Sequence, residues 1–377
     1  MTQAASSHTV GGVRGPDTLI RSASLAGYID LMVELGHDPH ALLREVGLSA
    51  RWLEDPETLI SVQAVREVLE VSSRTTGVQD LGLRLVARRS FSNLGPISLV
   101  LNEEPTPRQA LETLCRYLKL LSPALVIRVE EAGANAIIRQ DLLPIAGLSA
   151  RQSIEMAVGV MFRLLRELIG PGWQARQVSF MHRAPVDAAS HRAFFGRAPL
   201  FNQEFNGLVC ALADLHRVRT PGNPGVARFA RDHFEAALRR RGASVRASCK
   251  ELIVALLSGG RCTAEQVAGH MRMDRRTLHR HLSVEGQSFS VLLDEVRREL
   301  ALHHLRESDL PLGEVAALLG FSSLSSFSHW FRAHFGNSVS GWRRHQGESS
   351  AGSAPVRPRK HNRPDPGMVA AEAPGQS

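Results

Sequence analysis

The chain is 377 residues long with 43% hydrophobic and 22% charged side chains, a globular composition at a length that calls for more than one core. Lys and Arg total 45 against 37 acidic residues, and the resulting +8 favours a polyanionic partner. The four cysteines (Cys115, Cys210, Cys249, Cys262) form no CxxC pair, which argues against a disulfide framework or structural zinc. No apolar leader or membrane-length run occurs, so a cytoplasmic protein without a membrane partner is expected.

Residues 1–16 are small and polar and are expected to be disordered. From Asp17 to about Leu121 the pattern is helical, most clearly in SVQAVREVLEVSS (61–73) and TPRQALETLCRYLKLL (106–121), with apolar residues at steps of three and four. ALVIRVEEAGANAIIRQDL (124–142) reads as two short strands around a glycine turn. SARQSIEMAVGVMFRLLRELIG (149–170) is a long helix, capped by Ser149 and stopped at Gly170. ARQVSFMHR (175–183) and GLVCAL (207–212) read as strands, and GVARFARDHFEAALRRRG (225–242) as a helix with a basic C-terminus. The expected architecture is an α+β domain over 17–243, mostly helical with a few short strands, then an all-α domain over 246–346. The remaining 347–377, rich in Pro, Gly, Ser and Ala around RPRKHNR, reads as a disordered tail that adds nonspecific phosphate contacts or only solubility.

Within the second domain two stretches repeat. EQVAGHMRMDRRTLHRHL (265–282) and GEVAALLGFSSLSSFSHWF (313–331) align Val267 with Val315, Ala268 with Ala316, Leu278 with Phe327 and Leu282 with Phe331, with one extra residue in the second turn. Each copy is a short helix, a tight turn and a second helix, the helix-turn-helix pattern. Thr263 and Gln266 form a possible capping box, Ala268 and Ala316 allow close helix approach, and Gly320 permits positive φ in the second turn, where the first copy has Arg272. Between the copies, SFSVLLDEVRRELALHHLRE (288–307) reads as one amphipathic helix. Twenty helical residues span ~30 Å, and successive major-groove faces on one side of B-DNA lie ~34 Å apart. Two reading helices on such a spacer match one turn of double-stranded DNA.

With Leu278 and Leu282 turned inward, Arg275, Arg276, His279 and Arg280 share the outer face of the first reading helix. Arginine reads guanine through its bidentate fork, and the neighbouring side chains can read bases or hold phosphates. A solvated basic face is the plain alternative. In the second reading helix, Leu324, Phe327 and Phe331 form an apolar stripe. Five serines fall between residues 322 and 328, and Ser322, Ser325, Ser326, Ser328, His329 and Arg332 are left partly or wholly outward. Small hydroxyls permit close approach to a duplex, although serines can equally be neutral filler. Trp330 is expected to pack rather than to stack on bases.

GEVAALLGFSSLSSFSHWFRAHFGNSVSGWRR resembles the second helix-turn-helix signature of the AraC/XylS family of bacterial transcription regulators, and RRTLHRHLSVEGQSFSVLLDEVRRELALHHL resembles its first reading helix and linker. By that resemblance, base-contacting positions fall on Arg276, His279 and Arg280, and on Ser325, Ser328 and His329. Val339 stands where the family usually has proline after FGNS, which puts the start of the last helix in doubt. The stretches at 37–61, 94–121 and 192–215 resemble an effector-binding half described as arabinose-binding-like, a label that does not establish the sugar as ligand. The resemblance implies an unidentified small-molecule effector, a homodimer, contact with RNA polymerase and activation rather than repression.

No GxSxG, P-loop or HExxH pattern occurs, so no enzyme activity is expected, nor any cofactor. His279/His281 and His303/His304 lack a completing Cys or acidic pattern, so solvated or phosphate-facing histidines are expected rather than a metal site. The apolar face of Ile154, Ala157, Met161 and Leu165 reads as core, with a ligand cavity as the alternative. Two other readings stay open: a DNA-binding regulator with no effector, and an enzyme domain fused to a DNA-binding one. A thermal-shift screen separates the first of these from ligand sensing, and an activity screen of the N-terminal half tests the second.

Overall fold

The computed structural model describes residues 18–344 apart from 146, 221–223, 241–244, 258–261 and 272. The expected disordered ends at 1–16 and 347–377, residues 243 and 244 at the expected domain junction, and Arg272 in the first turn lie outside the described residues. The mostly helical α+β and all-α architecture is the one observed.

The first part of the chain builds a helical layer from α1 (Tyr28–Glu34), α2 (Pro39–Glu45), α3 (Val62–Thr76) and α4 (Leu81–Ala87). Their core holds Tyr28, Leu31, Leu43, Val68, Leu69 and Leu85. This region also holds an antiparallel pair, β1 (Leu19–Arg21) and β2 (Leu59–Ser61), where the periodicity predicts helix alone. Three residues are too short to show an alternation, and the partners lie 40 positions apart, so only tertiary pairing reveals them.

The second layer is a sheet of β3 (Leu125–Ala132), β4 (Asn135–Leu142), β5 (Gln177–Ser179) and β6 (Gly207–Ala211), in the order β3-β4-β6-β5 and antiparallel throughout. The β3–β4 hairpin falls where predicted; β5 is shorter than the 175–183 alternation. Helices α5 (Ile97–Asn102), α6 (Pro107–Leu121), α7 (Arg151–Ile169), α8 (Ala189–Phe195), α9 (Leu212–Leu215) and α10 (Pro224–Arg240) complete this half. The 19-residue α7 joins the layers: Val158, Met161, Phe162 and Leu165 pack towards the sheet, while Met156 packs among the first four helices. Its approach to α4 is so close that a Cβ on Gly82 would lie 2.1 Å from the Gln152 carbonyl oxygen, which explains glycine there. The N-cap is Ala150 rather than Ser149, although the Ser149 hydroxyl still accepts from the Arg151 amide at 3.2 Å.

The last part consists of α11 (Val245–Leu257), α12 (Ala264–His270), α13 (Arg275–Val284), α14 (Phe289–Glu307), α15 (Leu312–Leu318) and α16 (Leu324–Phe335). It has two small cores rather than one. Ile253, Val267, Leu278 and Leu282 meet Leu292 and Val296 in the first; Leu305, Val315, Phe327 and Phe331 meet in the second. The unbroken α14 contributes to both, and Leu300 packs against each.

The two halves meet along α14 and α11. The Arg183 amide donates to the Glu307 carbonyl at 2.8 Å, and its guanidinium reaches Asp309 (2.6 Å), the Ser308 carbonyl (3.1 Å) and the Arg306 carbonyl. Lys119 reaches Ser248 and Glu251, both at 2.9 Å. This contact overturns the expectation of a solvated or phosphate-facing side chain for His304, while His303 beside it is half-buried. His304 is only 5% exposed, and burial pushes its imidazole down to about 3, because this side of α14 faces the neighbouring domain. Glu70 lines the same junction, and burial raises its carboxyl to about 7, with Glu307 and Glu155 adding repulsion against the lowering effect of the Gln152 N–H. A raised carboxyl contributes stability below its ordinary 4.5 and loses it as pH rises through 7. Between pH 6 and pH 8 the native chain should therefore lose ~1 kcal/mol more stability than Glu70→Gln. Urea titrations at the two pH values measure this difference.

Candidate nucleic-acid interface

Both reading helices, the linker helix and the first helix of the first unit start from side-chain caps that the sequence provides, whereas α15 starts at Pro311 without one. Thr263 and Gln266 form the reciprocal capping box of α12, Asp274 caps α13 by accepting from the Thr277 amide at 2.7 Å, and Ser288 caps α14. In α16, Ser323 and Ser326 form a capping box: the Ser323 hydroxyl accepts from the Ser326 amide at 3.1 Å, and the Ser326 hydroxyl accepts from the Ser323 amide at 3.3 Å. Two of the five clustered serines thus start the helix, which leaves Ser322, Ser325 and Ser328 for other roles. Gly320 takes φ 71°, as the second turn requires.

The inward residues of both reading helices are fully buried: Leu278, Leu282, Phe327 and Phe331 are at most 1% exposed. On the opposite side Arg275, Arg276, His279 and Arg280 of α13 are exposed, as are Ser325, His329 and Arg332 of α16, with Ser328 half-buried. The arginines of α13 differ in freedom. Arg275 donates to Glu265 on the preceding helix at 2.8 Å, whereas Arg276 makes no salt bridge among the described residues. Leu324 corrects the predicted apolar stripe: it is 45% exposed, because the stripe continues from Phe327 to Phe331 without it. The repeat carries the signal for this, since the register that pairs Leu278 with Phe327 pairs Leu324 with the exposed Arg275.

The second unit is bolted to α14. Arg297 donates to the carbonyls of Leu319 (3.0 Å) and Gly320 (3.3 Å), and its guanidinium lies 4.5 Å from the centre of the Phe321 ring. Trp330 is half-buried against Phe321 and Phe327, and its indole N–H donates to Asp294 at 3.2 Å, so its role here is packing. Val339, where proline was expected, is 3% exposed in the second core, and the Ser338 hydroxyl accepts from the Gly341 amide at 3.1 Å. The departure at 339 therefore leaves the last turn packed. Among the described residues no group of three or more His, Cys, Asp or Glu side chains is placed to hold a metal ion, and no helix is long and apolar enough to cross a membrane.

Comparison with known proteins places this geometry in a class. Residues 36–218 match the arabinose-binding domain found at the N-terminus of AraC transcription regulators, and residues 267–345 match a helix-turn-helix domain. The HTH-type transcriptional regulator VirS of Mycobacterium tuberculosis is 30% identical over 334 residues, covering 88% of this chain and 98% of VirS. The ornithine utilization regulator of Pseudomonas aeruginosa is 26% identical over 330 residues, covering 86% of this chain and 96% of its own. A crystal structure of the transcriptional regulator CdpR from Pseudomonas aeruginosa covers 73% of this chain and 91% of its own at 22% identity, with a TM-score of 0.37. An N-terminal regulator domain followed by two helix-turn-helix units on one linker helix defines a DNA-binding transcription regulator. The chain belongs to the AraC/XylS family of these regulators.

Proposed function

We propose that the two helix-turn-helix units read successive major grooves on one face of double-stranded DNA, under the control of a small molecule bound by the N-terminal half. The continuity of α14 carries this reading. Its 19 residues give a rod of ~28 Å, close to one DNA turn, and both reading helices pack on it. In α13, Arg276, His279 and Arg280 supply base contacts and Arg275 a phosphate contact, its guanidinium being shared with Glu265. In α16, Ser325, Ser328 and His329 face bases and Arg332 a phosphate. Leu324 joins this set, since an exposed aliphatic side chain on a reading face suits a thymine methyl. Contact with RNA polymerase, activation and a homodimer follow from the family.

The test is selection of binding sites from random duplexes by the full chain, followed by hydroxyl-radical footprinting. Two protected patches one helical turn apart on one face support the reading; a single patch, or two on opposite faces, refutes it. Activation and polymerase contact are read by transcription from a selected site with purified polymerase.

A further inference from the structure

We propose that a cavity between α3, α7 and the β3–β4 hairpin is the effector site, and that it takes a small amphipathic monocarboxylic acid, a carboxylate on an aliphatic or aromatic body. This deepens the reading of the N-terminal half as a sensor and rests on it. The cavity has a volume of about 180 Å³, and its walls are largely aliphatic, from Val65, Leu118, Ile127, Val160 and Leu164. The helical face that reads as core is core, with Ile154, Met161 and Leu165 buried and Ala157 packed against them, and Ala157 and Met161 also border this space. A cavity of ~150 Å³ holds a benzene ring, so the space fits a body of ring or short-chain size.

The polar groups decide the class of ligand. Ser24, Arg66, Gln140 and Ser153 line the cavity. The Ser24 hydroxyl, Nη2 of Arg66, both amide atoms of Gln140 and the Ser153 hydroxyl are buried with no hydrogen-bond partner among the described residues. Arg66 is 2% exposed, Gln140 0% and Ser153 6%. Buried polar atoms are almost always satisfied, and each orphan costs ~1–3 kcal/mol, so five around one apolar cavity mark a place built for a polar head. Its charge follows from the lining: Arg21, Arg66 and Arg89 contribute cations and no Asp or Glu contributes an anion. Arg21 is paired with Glu57, and Arg89 donates to the Ser24 and Ala26 carbonyls, which leaves Arg66 for the ligand. Burial pulls the Arg66 guanidinium down to about 10, against the pull of Glu70, and at neutral pH it stays cationic. A sugar would need hydrogen-bonding groups all round, and these walls offer them at a few points only.

The same arginine reaches towards the DNA-binding half. Its Nη1 donates to the Leu143 carbonyl at 2.7 Å, and the Leu143 side chain packs against the core of the first helix-turn-helix unit. A carboxylate on Nη2 would thus share a guanidinium with the chain segment that touches α11–α14.

Thermal melting of the full chain tests this with straight-chain carboxylates from butyrate to dodecanoate and with phenylacetate, each beside its matched alcohol, and with L-arabinose. At least one acid should raise Tm by about 5 °C near saturation, with no shift from its alcohol or from arabinose. Arg66→Met should lose that shift. Should Arg66→Met fail to fold, Ala157→Phe, which fills the cavity and keeps Arg66, should lose it too. Silence of every acid, an equal response to the alcohol, or an unchanged response in Ala157→Phe overturns the proposal. Duplex binding by the native chain, measured in parallel, tells a failure of the site from a failure of the regulator reading.

Discussion

Phe331→Ala is expected to cost the second helix-turn-helix unit about 3–5 kcal/mol and to leave the first unit folded. Phe331 is 0% exposed, with ring centroids 5.8 Å from Phe327, 4.4 Å from Phe335 and 6.3 Å from Trp342, so truncation opens a hole where four aromatic rings meet. A core this small has few other contacts to offset the loss. The first unit is insulated, since Leu278 and Leu282 pack with Ile253, Leu292 and Val296 instead. Two observables follow. Urea unfolding should gain an early phase, and the footprint should shrink from two groove contacts to the one held by α13. A single cooperative transition with an intact double footprint would show that the two cores do not act independently.

Arg276→Ala should weaken specific binding by ~1–3 kcal/mol and relax the base preference at one position, while nonspecific binding changes little. Arg275→Ala should do less and act uniformly across sequences, because Glu265 already holds that guanidinium. Geometry separates the two: both are exposed on α13, but only Arg276 is free of a salt bridge among the described residues. Binding-site selection with each variant is the measurement. An unchanged motif for Arg276→Ala removes that residue from the reading set, and a lost motif for Arg275→Ala would reverse the assignment. Neither substitution touches a core residue, so melting temperatures should stay near that of the native chain.

The C-terminal half was legible because its signals are local. Caps at Thr263, Asp274, Ser288 and Ser323 lie within three residues of the groups they bind, and the apolar steps of Leu278/Leu282 and Phe327/Phe331 each span one helical turn. Leu324 misled because hydrophobicity at helical spacing does not say where a buried stripe ends; only packing on α14 does. His304 misled for a related reason. Its charge-bearing side chain is neutral and buried because a second domain covers that side of α14, a contact between residues more than 100 positions apart such as Arg183 and Asp309.

Local signals in the chain carry the helices of the second half, the repeat and the outward basic set. All of these follow from interactions within a few residues, whose geometry backbone periodicity imposes. The tertiary structure alone decided the pairing of β1 with β2, the freedom of Arg276 relative to Arg275, and the meeting of Ser24, Arg66, Gln140 and Ser153 around one cavity. Those four residues come from separate segments of the chain. Chain folding, not spacing, brings such groups together, and no local periodicity records it.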